Sequence, residues 1–185
     1  MNDFANDNEF SKSELADSFW NNFYRVAFPD YIRMSETVKD RAMQLHGIDR
    51  KIYLKDGIVV LTDEKLRRIT YPDFFLEYQS SDVNHSLGWL NKDLDIDYVA
   101  YGWYPARFGY LLEWQSLTSA WIRHGHNWIA EYGRKPAYNV GYTTWGVCVP
   151  TRVIREVVDC RFVSFFSVLI DNEIEENLEV QLSMF

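Results

Sequence analysis

The amino-acid sequence predicts an α+β (mixed α/β) domain. Three observations carry this: an apolar helix-period segment early in the chain, a meander of β-branched segments, and a helix–strand–helix succession after it. At 185 residues, 47% hydrophobic and 17% aromatic, the chain has material for one rigid core. A domain of that size buries roughly 70% of its unfolded surface.

Residues 1–13 are polar and acidic and read as a flexible N-terminus. They carry no basic n-region or apolar h-region, so no signal peptide is expected. Ser13 is the N-cap candidate for a helix through ELADSFWNNFYRVAF, which Pro29 ends. A second helix is expected over residues 35–45, with Ser35 as N-cap and Gly47 closing it.

The segments IDRKIYL and IVVLTDEKL, joined by Lys55-Asp56-Gly57, read as a hairpin. A three-residue loop with Gly last, a type I turn followed by a glycine bulge, pairs Lys51 with Leu61. It sets Asp49 opposite Asp63, with Lys65 two residues further on the same face. Ile48, Ile52, Leu54, Ile58 and Val60 then form a core surface on the other face. A two-residue Asp-Gly turn slips the register by one and brings Glu64 against Asp49 instead. The first register is preferred because it gathers two carboxylates and a lysine on one side.

DFFLEYQS is a third strand, with Phe75, Glu77 and Gln79 on one face. YVAYGWYPA and FGYLLEW are further strand material, and SLTSAWIRHGHNWIAEYG is an amphipathic helix stopped by Gly133. YTTWGVCVP is a buried strand closed by Pro150, and TRVIREVVD a short helix. The domain is thus drawn over residues 14–172, with an acidic tail over 173–185.

The net charge of −8 argues against a protein held on nucleic acid by bulk electrostatics. Residues 50–68 are nevertheless locally basic, and Arg50, Lys51, Arg67 and Arg68 are the candidate DNA contacts. No run of about 18 apolar residues occurs, so no membrane partner is expected. Cys148 and Cys160 lie in apolar stretches and read as buried free thiols of a reducing cytoplasm.

Metal-assisted phosphodiester cleavage needs oxygen ligands on one ion and a cation beside the phosphate. Asp49 and Asp63 are the candidate ligands and Lys65 the cation. Strand side chains repeat every two residues, so Asp63 and Lys65 need the single residue that separates them.

Asp49 followed by Asp63-Glu64-Lys65 resembles the signature of the PD-(D/E)xK nuclease superfamily. The surrounding DRAMQLHGIDRKIYLKDGIVVLTDEKLRR, DFFLEYQ and Gly88-Trp89 are similar to small phage and bacterial members. The likeness is good over residues 36–115 and thinner beyond, and Ile48 stands where a proline commonly precedes the first aspartate. The resemblance implies a restriction-endonuclease-like core, a central mixed sheet with flanking helices, that cleaves DNA with Mg²⁺ or Mn²⁺. It implies catalytic roles for Asp49, Asp63, Glu64 and Lys65, and metal ligation by Asp49, Asp63, Glu77 and Asp40. Whether Asp63 or Glu64 is the second ligand stays open with the register.

The last five residues, Gln181-Leu182-Ser183-Met184-Phe185, resemble the peptide by which bacterial polymerases and repair proteins dock on the β sliding clamp. Gln181 would fill a polar pocket, and Leu182, Met184 and Phe185 an apolar cleft. The alternation in LEVQLSMF equally suits a packed final strand.

His124-Gly125-His126 lacks further ligands at metal spacing and is read as structural, and Trp114, Trp121 and Trp128 as core. Glu113 is assigned no role. The expectation is a cytoplasmic nuclease of phage or mobile-element type, or alternatively a catalytically inactive nuclease-fold protein that modulates replication or defence through protein binding.

Overall fold

The computed structural model describes residues 14–37 and 40–165. The expectations for residues 1–13, for 166–172 and for the tail with Gln181, Leu182, Met184 and Phe185 lie outside the described residues.

Helix α1 (Glu14–Ala27) presents Phe19, Trp20, Phe23, Tyr24 and Ala27 on one stripe, all buried. It packs on a six-stranded sheet. That sheet comprises β1 (Tyr31–Glu36), β2 (Arg50–Leu54), β3 (Val59–Arg67), β6 (Tyr98–Trp103), β7 (Phe108–Glu113) and β10 (Cys160–Ser164), in that spatial order. The β3–β6 pairing is parallel and the other neighbours are antiparallel, so the sheet is mixed.

A second, antiparallel sheet is ordered β5 (Ser86–Leu87), β4 (Asp73–Ser81), β9 (Tyr142–Pro150), β8 (Lys135–Asn139). Helices α3 (Trp114–Tyr132) and α4 (Thr151–Val157) pack with it, and α2 (Arg41–Leu45) precedes β2. One core fills the space between α1 and the large sheet, through Ile52, Val60, Leu66, Ala100 and Leu111. The other joins the opposite face of that sheet to the small sheet and α3, through Val99, Tyr101, Trp103, Phe74, Leu76, Val147 and Leu117. Trp114, Trp121 and Trp128 all pack into this second core, as expected.

The hairpin register is the preferred one: Lys51 faces Leu61, Arg50 faces Thr62, and Leu54 N–H donates to Ile58 O at 2.9 Å. The turn itself differs. Asp56 (φ 62°) and Gly57 (φ 78°) are both left-handed, so it is not a type I turn with a glycine bulge. Ile58 is exposed, and Ile48 joins the second core rather than the α1 face.

The helix expected over residues 35–45 is shorter. Residues Tyr31–Glu36 form β1, whose pairing with β2 satisfies their backbone. The helix starts only after Asp40, whose carboxylate accepts from Ala42 N (3.1 Å) and Met43 N (3.2 Å). The third strand, β4, leaves the hairpin sheet and pairs with β9. Glu113, given no role from sequence, is the N-cap of α3 and accepts from Ser116 N.

Candidate functional site

Between the two sheets lies a cleft of about 430 Å³, lined among others by Asp49, Asp63, Lys65, Arg67, Glu77 and Trp89. Its floor follows from the period of β3. Asp63, Lys65 and Arg67 register with Val99, Tyr101 and Trp103 of β6, which face the inter-sheet core. Thr62 and Glu64 turn the other way, toward Tyr24 of α1.

Asp49 is fixed from several sides. Its N–H donates to Thr62 O (2.9 Å), its O accepts from Thr37 N (3.2 Å), and its carboxylate Oδ2 accepts from Glu64 N (2.9 Å). Its carboxylate lies against that of Asp63. Lys65 Nζ donates to Asp63 Oδ1 at 2.6 Å and stands 5.6 Å from the Trp89 ring centre. Asp63 Oδ2 is buried and meets no hydrogen-bond donor.

Burial, reinforced by the Asp49 charge, pushes the Asp63 carboxyl up to about 8, and Lys65 offsets this only in part. Asp63 and Asp49 hold Lys65 firmly protonated against its own burial. Burial also raises Glu77, against the pull of Lys65 across the cleft.

These residues fit a small divalent ion. Mg²⁺ is commonly held by one or two carboxylates, with water and phosphate oxygens completing its shell. Two abutting carboxylates, one with an orphaned buried oxygen, provide that donor set. Among the described residues no group of three or more His, Cys, Asp or Glu side chains converges on one point. Glu77 therefore faces the same cleft without joining the pair, and Asp40 is spent on capping α2.

The register turns Glu64 away from Asp49 and Asp63. Arg50 grips it with Nε–Oε1 and Nη2–Oε2 contacts of 3.1 Å each, and Tyr24 donates its hydroxyl at 2.9 Å. The same arrangement corrects the assignment of Arg50 as a DNA contact. Arg50 is only 4% exposed and also bridges Asp17 (2.8 Å) and Glu36 (3.7 Å).

Arg67 does line the cleft, steered by the Tyr101 hydroxyl at 3.0 Å and Asp73 at 3.4 Å. Lys51 is half-buried on β2, and Arg68 is exposed just past β3. Lys92, Tyr101 and Asn139 also line the cleft but were not singled out from sequence. Tyr101 alone had a signal, its alternate position in YVAYGW. Its pairing with Lys65 depends on a parallel contact distant along the chain.

His124 stacks on Trp128 with ring centres 5.6 Å apart, consistent with a structural part. Both cysteines are free and partly buried, and burial pushes the Cys148 thiol up to about 11. No helix of the described residues is long and apolar enough to cross a membrane. Compared with models of known protein families and with curated protein sequences, the chain matches none of them.

Proposed function

We propose that the protein is a metal-dependent nuclease that hydrolyses phosphodiester bonds of DNA in the inter-sheet cleft, using Mg²⁺ or Mn²⁺. The observation that carries this reading is the Asp49–Asp63 carboxylate pair with Lys65 Nζ at 2.6 Å from Asp63 and a buried Asp63 oxygen without a donor. A bound divalent ion would polarise the phosphate and lower the pKa of an attacking water. Asp49 and Asp63 would hold it, Asp49 directly ahead of β2 with its N–H bonded to Thr62 O, and Asp63 within β3. Lys65 exchanges its Asp63 contact for a phosphate oxygen and stabilises the charge that develops there. Arg67 and Lys92 supply further positive charge along the cleft wall.

The reading places the enzyme in the cytoplasm, with the terminal Gln181-Leu182-Ser183-Met184-Phe185 as its tether to the β sliding clamp. Such a tether would raise the effective concentration of an acidic chain at DNA.

The test is cleavage of single-stranded, duplex and branched DNA by purified protein with Mg²⁺ or Mn²⁺. Asp63→Ala and Lys65→Ala should each slow it by about 100-fold or more. Full activity in both variants overturns the site. Inactivity on every DNA form, with clamp binding lost on deleting Met184 and Phe185, would favour the non-catalytic interaction protein.

A further inference from the structure

The β8–β9 hairpin turns through Val140-Gly141, between the paired Asn139 and Tyr142. Gly141 takes the left-handed φ of 83° that the turn requires. Turns of this kind are ordinarily filled by Asn, Asp, Gly, Pro or Ser, which have local reasons to be there. Val140 has none: it is 96% exposed, and Tyr138 and Tyr142 beside it are 63% and 42% exposed. The turn tip thus leaves three apolar or aromatic side chains in solvent.

The stem beneath the tip is pinned to the rest of the small sheet. Asp82 N–H donates to Thr143 O (3.0 Å), and Thr143 N–H donates to Asp82 Oδ1 (2.8 Å). The Thr144 hydroxyl donates to Ser80 O (2.7 Å), and Asn139 Nδ2 donates to Thr144 Oγ1 (3.0 Å). The tip is therefore an apolar point on a braced base.

Its position ties it to the cleft. Asn139 lines the same cleft as Asp63, Lys65 and Lys92, and Val140 is the next residue, one strand step of about 3.3 Å along. Tyr142, opposite Asn139, shares its face, whereas Tyr138 lies on the other. An aromatic ring on each face and an aliphatic apex make a wedge.

The geometry points to this hairpin as a wedge that enters a junction between paired and unpaired DNA bases, stacking Tyr138 and Tyr142 on bases next to the phosphate held in the cleft. The inference rests on the nuclease reading above and gives that enzyme its substrate class, forked or flapped DNA rather than an intact duplex. Side chains of this kind unstack base steps when they insert, and base–aromatic stacking needs no positive charge. That suits a chain of net charge −8, which bulk electrostatics does not hold on nucleic acid.

The experiment measures binding by anisotropy in Ca²⁺ to a blunt duplex and a forked duplex of equal length, with 2-aminopurine at the fork. Wild type should bind the fork about 10-fold tighter and brighten the 2-aminopurine. Val140→Ser should weaken that preference. The triple variant Tyr138→Ser, Val140→Ser, Tyr142→Ser should abolish it, with an unchanged melting temperature and an unchanged slope of log affinity against log salt. Equal binding to both DNAs by wild type, or an unaltered preference in the variants, overturns the wedge while leaving the nuclease reading intact if cleavage persists. Absence of both binding and cleavage in wild type overturns the nuclease reading, and the wedge with it.

Discussion

Lys65 Nζ stands 2.6 Å from Asp63 Oδ1, two residues along the same strand, yet Asp63 Oδ2 on the same carboxylate meets no donor. Half of this buried group is neutralised and half waits for a proton or a cation.

The waiting half has a pH consequence. Asp63 titrates at about 8 in the folded protein, against about 3.9 in an unfolded chain. A carboxyl raised in this way favours the folded state fully below pH ~3.9, and that contribution is lost as pH rises through 8. In EDTA the melting temperature should therefore decline between pH 6 and 9, and Asp63→Asn should flatten the decline. The gain in melting temperature on adding Mg²⁺ should grow over the same interval, because the ion displaces a proton. Parallel profiles for wild type and variant would refute the raised Asp63 carboxyl.

Arg50 is predicted to be a stability residue and not a DNA contact. Arg50→Met leaves Glu64 buried without its bidentate partner, and should cost about 3–5 kcal/mol in urea unfolding. The same variant, at a temperature where it is folded, should bind DNA as wild type does.

Gly88 sits against β4 so closely that a Cβ would meet Glu77 O at 2.5 Å and Gln79 N at 2.6 Å. Its N–H donates to Tyr78 O at 3.0 Å, and this docking sets the following Trp89 beside Lys65. Gly88→Ala should cost about 1–3 kcal/mol and change the Trp89 environment, read by denaturant titration and tryptophan fluorescence.

Asp40→Ala should cost about 1 kcal/mol, the usual loss of an N-cap, and leave the cleavage rate unaltered. A large loss of activity at unchanged stability would return Asp40 to the proposed site.

The parts of the fold visible in the sequence are those with a local cause. The aromatic stripe of α1, the Gly133 stop of α3 and the β2–β3 register each follow from side-chain period and turn residues. Only Ser35 and Glu36 of β1 fall in SETVKDRAMQL, the segment that read as a helix, and it is pairing with β2 that makes them extended. The division into two sheets depends on the parallel β3–β6 contact, which brings together segments separated by the whole of β4 and β5. In the site, Asp49, Asp63 and Lys65 were legible because they sit on one hairpin face. The burial of Arg50 was not, since its partners Asp17, Glu36 and Glu64 come from three different elements.

The order of strands has a mechanical meaning. The chain passes from the large sheet to the small one after β3, returns before β6, leaves again after β7 and comes back before β10. Four covalent threads therefore stitch the two sheets together around the cleft. Lys65 and Glu77, both lining the cleft, belong to strands joined by the first of these threads, so the cleft cannot part into two independent halves.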